Sequence, residues 1–390
     1  MFTKQVILVA GFDYENAQID FSAMCTYRMQ QLTKKFAGQQ VRFTIFDVGQ
    51  GTVQSWEPDA KGKVIQSDTT HIVVVKNPAF DGIKDLRMVL VTEPKYSFTA
   101  VTSDNFSDWA DDTVTYKHFD QKQAGIMSIT DIYEYLRQIG AGKDAGTVVE
   151  CSFFSHGFWG GPVLVNSSDA TFDDPSKPRD PNDKDPRYYK DFEPKVMDAD
   201  ALAQFKKAFA KDGFTWGWGC LFAKVYNIII AEIFRNPTFK SNKDLKDTDK
   251  FELEYSLDKD EKDGAKRFDE IKDTLKAYGK LNKSGDFDVK MTMKDIKDVF
   301  KKALDDTFAQ KLATVTNLAS FGAFTGTYAD PFDGLMSVIQ DNDKTEWVKV
   351  EKKKKHPEPF HTFSKTIDFY IKYLGRTKDP EDRGYCKYIP

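Results

Sequence analysis

Glu150–Gly161 reads ECSFFSHGFWGG and Gly213–Cys220 reads GFTWGWGC. Each is an apolar run that stops at a reactive side chain, His156 in the first and Cys220 in the second, with glycine beside it. A buried strand ending at the edge of a sheet presents a side chain in this way. A thiol reacts as its thiolate, so a working cysteine needs a base or an imidazolium nearby. Two strand ends, one with the imidazole and one with the thiol, supply both.

The flanking chain sets these strands in an α/β pattern. Residues 5–12 (QVILVAGF) read as a buried strand, and Ile19, Ala23, Met24, Tyr27, Leu32 and Phe36 then recur at helical spacing. VRFTIFDV (41–48) is a second strand, so the chain opens as βαβ with a parallel pair. Residues 52–120 carry short β-rich runs (IVVVK, MVLVTE, YSFTAVT) and predict an inserted hairpin set. Ser128 and Asp131 form a capping-box pattern ahead of Ile132, Tyr135, Leu136 and Ile139, which predicts a helix before the His156 strand. Asp200–Phe209 predicts another helix before the Cys220 strand, and LFAKVYNIIIAEIF one behind it. Continuous apolar character in the strands points to burial on both faces of a parallel sheet.

The order His-Gly at one strand end, an intervening helix, then Gly-Cys at the next resembles the caspase-like cysteine peptidases. That superfamily includes caspases, gingipains, separases and legumains. The resemblance covers residues 1–235 as topology and about two dozen residues as motif. It implies a mostly parallel caspase-like sheet flanked by helices, decorated by the β-rich insertion and by charged loops. It also implies a cysteine peptidase or related amide hydrolase acting on a peptide or protein. Cys220 would be the nucleophile and His156 the acid and base, with the backbone N–H groups of Gly157 and Cys220 as oxyanion donors. No third catalytic residue is evident in the sequence.

Residues 236–290 read as a charged surface excursion, and 169–195 as a long loop rich in Asp, Pro, Lys and Arg. Both are places where nicking or self-cleavage would concentrate. Residues 291–390 are expected to complete the same domain. Thr292, with Asp295 at the capping-box position, opens a helix running through Ile296, Val299, Phe300, Leu304, Phe308 and Leu312. LASFGAFTGTY then suggests a fifth strand, and the loop Gly322–Asp333 is expected to line a substrate cleft, with Tyr328 and Asp330 contacting substrate. In open α/β sheets such loops at the carboxyl ends of strands build the site. Asp330 would favour a basic substrate side chain.

Two other classes compete. One is a non-enzymatic effector, scaffold or assembly component on the same fold. The other is a serine hydrolase using Ser155, although Phe153 stands where the nucleophile elbow needs glycine. Ser320, in Leu-Ala-Ser-Phe-Gly, lacks its first glycine likewise. GAGKD (140–144) has Asp144 where a phosphate loop needs Ser or Thr, and GWGCLF has Phe222 where a dinucleotide fingerprint needs glycine. DKDEKDG (258–264) misses the calcium-loop spacing.

Composition sets the outer bounds. The chain has 390 residues, 40% hydrophobic, with 32 Phe to fill a core. The net charge is −4 with both signs interspersed, which gives no electrostatic footprint for nucleic acid. The run Lys352–Lys355 reads as a solvated turn. Four scattered cysteines (25, 151, 220, 386) show neither metal-ligand spacing nor a disulfide framework, so no metal or cofactor is expected. The first apolar run, VILVAGF, is too short for a spanning helix and lacks a cleavage site. A cytoplasmic, reducing setting follows as an expectation, although export by a dedicated secretion or injection machine would leave no such mark.

Overall fold

The structure is a computed structural model that describes residues 3–11, 13, 18–48, 52–76, 88–92, 129–158, 160–164, 191–192, 197–221, 274–281, 287–338 and 363–390, with parts of 226–255. Strand β1 (Lys4–Ala10) leads through helix α1 (Phe21–Lys35) to β2 (Val41–Asp47), as the apolar spacing predicts. β3 (Thr52–Pro58), β4 (Val64–Lys76) and β5 (Met88–Thr92) follow as an antiparallel meander off β2. The β-rich segment therefore widens the central sheet. The YSFTAVT run and Ser128 lie outside the described residues.

Helix α2 (Ile129–Ala141) precedes β6 (Val148–Phe154), and a tight hairpin of β7 (His156–Phe158) and β8 (Gly161–Val163) follows it. Helix α3 (Ala199–Ala208), capped by Asp198, runs directly into β9 (Phe209–Gly217). Within β9 the pairing jumps from Val148–Phe209 to Glu150–Phe214, so Ala210–Gly213 bulge out of the ladder. Gly213 sits so close to the Val148 carbonyl, 2.6 Å from where a Cβ would be, that any side chain there would break the bulge.

The charged excursion contributes a small sheet. β10 (Lys250–Tyr255), β11 (Gly279–Leu281) and β12 (Phe287–Thr292) form a separate antiparallel sheet, and Phe251, Val289 and Met291 feed the core. Alternate apolar residues inside a charge-dense run make this possible. The Thr292–Asp295 capping box is present at the head of α4 (Met293–Asp305). The single helix expected from Ile296 to Leu312 is instead two. Thr307 caps a second, α5 (Phe308–Thr316), by accepting from the Gln310 N–H. The break carries the chain across the sheet: Ile296, Val299, Phe300 and Leu304 pack on one face, Phe308 and Leu312 on the other.

The expected fifth strand is β13 (Ala319–Gly322), parallel to β9. A hairpin of β14 (Ala329–Phe332) and β15 (Leu335–Val338) follows, where the sequence suggested a loop. Asp333 and Gly334 both have positive φ at its tip, which is the primed-turn geometry that an Asp-Gly pair allows. Helix α6 (Phe363–Leu374) and strands β16 (Thr377–Lys378) and β17 (Cys386–Tyr388) close the chain.

The large sheet runs β16-β17-β13-β9-β6-β1-β2-β3-β4-β5. Its centre, β13-β9-β6-β1-β2, is parallel, and its margins are antiparallel. The chain is therefore an α/β protein whose parallel strands are buried on both faces, with burial continuous along β6. One layer holds α1, α4 and α6; the other holds α2, α3 and α5. Crossovers of one hand that depart in opposite directions from the β1/β6 pair leave their helices on opposite faces, which explains the two layers. Helix α1 buries Met24 and Leu32, and Ile19, Tyr27 and Phe36 pack against the core, as the spacing predicts. Ala23 is exposed, and the buried stripe also takes in Cys25, Met29 and Arg28, which pairs with Glu150 of β6 inside the core. No helix among the described residues is long and apolar enough to cross a membrane.

Candidate active site

Three neighbouring parallel strands, β1, β6 and β9, end side by side and carry Asp13, His156 and Cys220 just beyond their carboxyl ends. The strand order turns at β1/β6, and in doubly wound sheets a crevice opens at such a switch point. The spatial order along this edge is carboxylate, imidazole, thiol. Adjacent strands lie about 4.8 Å apart, which sets the scale at which such side chains can meet.

Glycine makes the close approach possible. A Cβ on Gly11 would lie 2.6 Å from the Ser155 Cβ, one on Gly157 would lie 2.7 Å from the Cys220 carbonyl, and one on Gly219 would lie 2.7 Å from the Ser155 carbonyl. The His156 and Cys220 segments thus touch backbone to backbone. Backbone hydrogen bonds Gly11 N–H to Phe154 O (2.8 Å) and Trp218 N–H to Phe153 O (2.9 Å) extend the ladder into this region.

His156 Nε2 lies 2.8 Å from Asp13 Oδ1, and the Phe21 ring stands edge-on to the imidazole at 5.4 Å. Both polar side chains are mostly buried. The carboxylate fixes the ring through Nε2. Sequence reading missed Asp13. A lone acid in the loop after a strand has no signature, although its place after the first of three strand ends could have marked it.

Cys220 is half-buried. Its Sγ accepts from the Ala329 N–H at 3.2 Å and lies 3.5 Å from the Ala329 carbonyl. Leu221 pairs with Thr327 through Leu221 N–H to Thr327 O (3.1 Å) and Gly326 N–H to Leu221 O (2.7 Å). The Gly322–Asp333 segment therefore does reach the thiol. Tyr328 and Asp330 flank Ala329, and neither side chain borders the cleft described below. The other three cysteines are buried. Burial pushes Cys25 and Cys151 far above the ordinary thiol range and Cys386 up to about 12.

The C-terminal segment pins these loops from below. Tyr385 donates to the Trp218 carbonyl (2.7 Å), two residues before Cys220, and Tyr388 donates to the Ala323 carbonyl (3.0 Å). Arg28 bonds Glu150 through both Nε (2.8 Å) and Nη2 (2.9 Å), and lies over the stacked Trp216 and Trp218 rings.

Ser155 is buried against Gly11 and donates its hydroxyl to the His156 carbonyl (2.7 Å). Ser320 is also buried and accepts from the Thr215 hydroxyl between two strands. Neither serine presents a nucleophile to solvent. No group of three or more His, Cys, Asp or Glu side chains that could hold a metal ion occurs among the described residues. Comparison with protein-family models, with curated proteins and with solved structures gives no match for this chain.

Proposed function

We propose that the chain is a caspase-like cysteine peptidase or related amide hydrolase in which Cys220, His156 and Asp13 act together. The observation that carries this reading is the Asp13–His156 pair at the switch point, one strand away from a half-buried thiol. Further support comes from the order of parts on which the resemblance rests: imidazole after the third parallel strand in the chain, α3, then thiol after the fourth.

In the first step Cys220 Sγ bonds to the scissile carbonyl carbon, and the thiol proton passes to His156. The imidazolium gives that proton to the amine as the C–N bond breaks, leaving an acyl-enzyme. Water, deprotonated by His156, then releases the acid and restores the thiol. Asp13 holds the ring and offsets its positive charge. The Gly157 and Cys220 N–H groups, on segments in mutual backbone contact, serve as oxyanion donors.

A competing reading, a non-enzymatic effector or scaffold, draws on the seating of Cys220 Sγ against the Ala329 backbone. Cleavage of a peptide library separates the two. The enzyme reading expects a defined cut-site pattern that Cys220→Ala abolishes. A pattern unchanged in Cys220→Ala, or no cleavage by a folded wild type, would rule it out.

A further inference from the structure

A small cleft of about 40 Å³ opens beside Cys220 and Gly157. Its far walls come from Phe308 and Ala309 of α5 and from Gly322 and Ala323. We propose that this cleft receives the side chain of the substrate residue whose carbonyl is attacked, and that it selects a small uncharged aliphatic group such as that of Ala or Val. The proposal rests on the cysteine-hydrolase reading above and adds its substrate class.

Size is the first ground. The space holds one to three carbons, and falls well short of the roughly 150 Å³ that admits a benzene ring. Polarity is the second. Among the described lining residues none is charged. The two lining hydroxyls are already engaged: Thr307 donates to Leu304 O (2.8 Å) and accepts from Gln310 N–H (3.2 Å), and Tyr388 donates to Ala323 O. A Lys, Arg, Asp or Glu side chain would lose water there and meet no opposite charge among the described lining residues, whereas an aliphatic one loses nothing polar. Two of the walls already pack against each other, since a Cβ on Gly322 would lie 2.9 Å from the Ala309 Cβ. Asp330 lies outside this lining.

The test uses peptidyl acyloxymethyl ketones that differ only in the residue next to the ketone: Gly, Ala, Val, Leu, Phe, Lys, Arg, Asp or Glu. Sγ bonds to the methylene carbon, the carbon–oxygen bond breaks, and the carboxylate leaves with its electron pair; the thiol proton passes through His156 to solvent. Intact-protein and peptide mass spectrometry read the rate at Cys220. Ala and Val probes should label at least about 10²-fold faster than the charged ones. Ala309→Val should slow the Val probe relative to Gly, and Phe308→Leu should speed Leu relative to Val, with circular dichroism checking that both variants fold. Equal or faster labelling by Lys, Arg, Asp or Glu probes would overturn the cleft assignment while leaving the nucleophile intact. No labelling of Cys220 by any probe would overturn both it and the hydrolase reading.

Discussion

His156 Nε2 and Asp13 Oδ1 lie 2.8 Å apart across the ends of two hydrogen-bonded parallel strands. Residues 143 apart in the chain are thereby held at hydrogen-bond distance by two strands buried along almost their whole length. Asp13→Asn keeps the size of the side chain but removes the charge that offsets an imidazolium. Turnover of any cleaved peptide should fall by roughly 10²-fold or more, with little change in KM. Unaltered kcat in that variant would remove Asp13 from the mechanism.

The four thiols should separate cleanly in a native alkylation experiment. Burial holds Cys25, Cys151 and Cys386 protonated through neutral pH, so limiting iodoacetamide should modify Cys220 first and the others only after unfolding. The same raised values link folding to pH. Above the unfolded thiol pKa of about 8.5 the folded chain binds more protons than the unfolded one, so stability falls as pH rises. For Cys386 the loss develops between about 8.5 and about 12. Denaturant midpoints at pH 7, 9 and 10.5 check the direction; a midpoint that rises with pH would contradict it.

Arg28 and Glu150 form the ion pair at the centre of the sheet, 2% and 1% exposed. Arg28→Met strands the buried Glu150 carboxylate and should destabilise the fold by about 3–5 kcal/mol, whereas Glu150→Gln leaves Arg28 its second carboxylate, Glu381 at 2.8 Å, and should cost less. Removing both should cost clearly less than the sum. Urea unfolding of the two singles and the double measures this, and additive losses would show that the pair is not coupled.

Much of this was legible in the sequence. β1, β2, β6 and the Thr292 capping box show because a long apolar run, or an oxygen three residues from a carboxylate, has one strong local preference. The break between α4 and α5 did not show, because the apolar spacing continues through Asp306 and Thr307 while the partner layer changes. Arg28 did not show because a charged residue counts as outward until its partner is known. Asp13 was hidden for the same reason: its role exists only once β6 lies beside β1.

Glycines at the strand ends give a sharper test of the local geometry. Gly219→Ala places a methyl 2.7 Å from the Ser155 carbonyl and Gly157→Ala one 2.7 Å from the Cys220 carbonyl. Each should destabilise by about 1–3 kcal/mol and lower Cys220 labelling by the peptidyl ketones. Gly62→Ala, where nothing lies within 4 Å but φ is positive, serves as a control that strains the backbone without touching the site. If that control reduced labelling as much as Gly219→Ala, the contact between the two segments would not be what sets reactivity.

The pH dependence of Cys220 alkylation, in wild type and His156→Gln, tests the central claim most directly. A thiol and an imidazole that exchange a proton should react faster at pH 5–6 than an isolated thiol of ordinary pKa, about 8.5, and that acid limb should vanish in His156→Gln. Superimposable profiles in the two proteins, both rising only near the ordinary thiol pKa, would contradict the account.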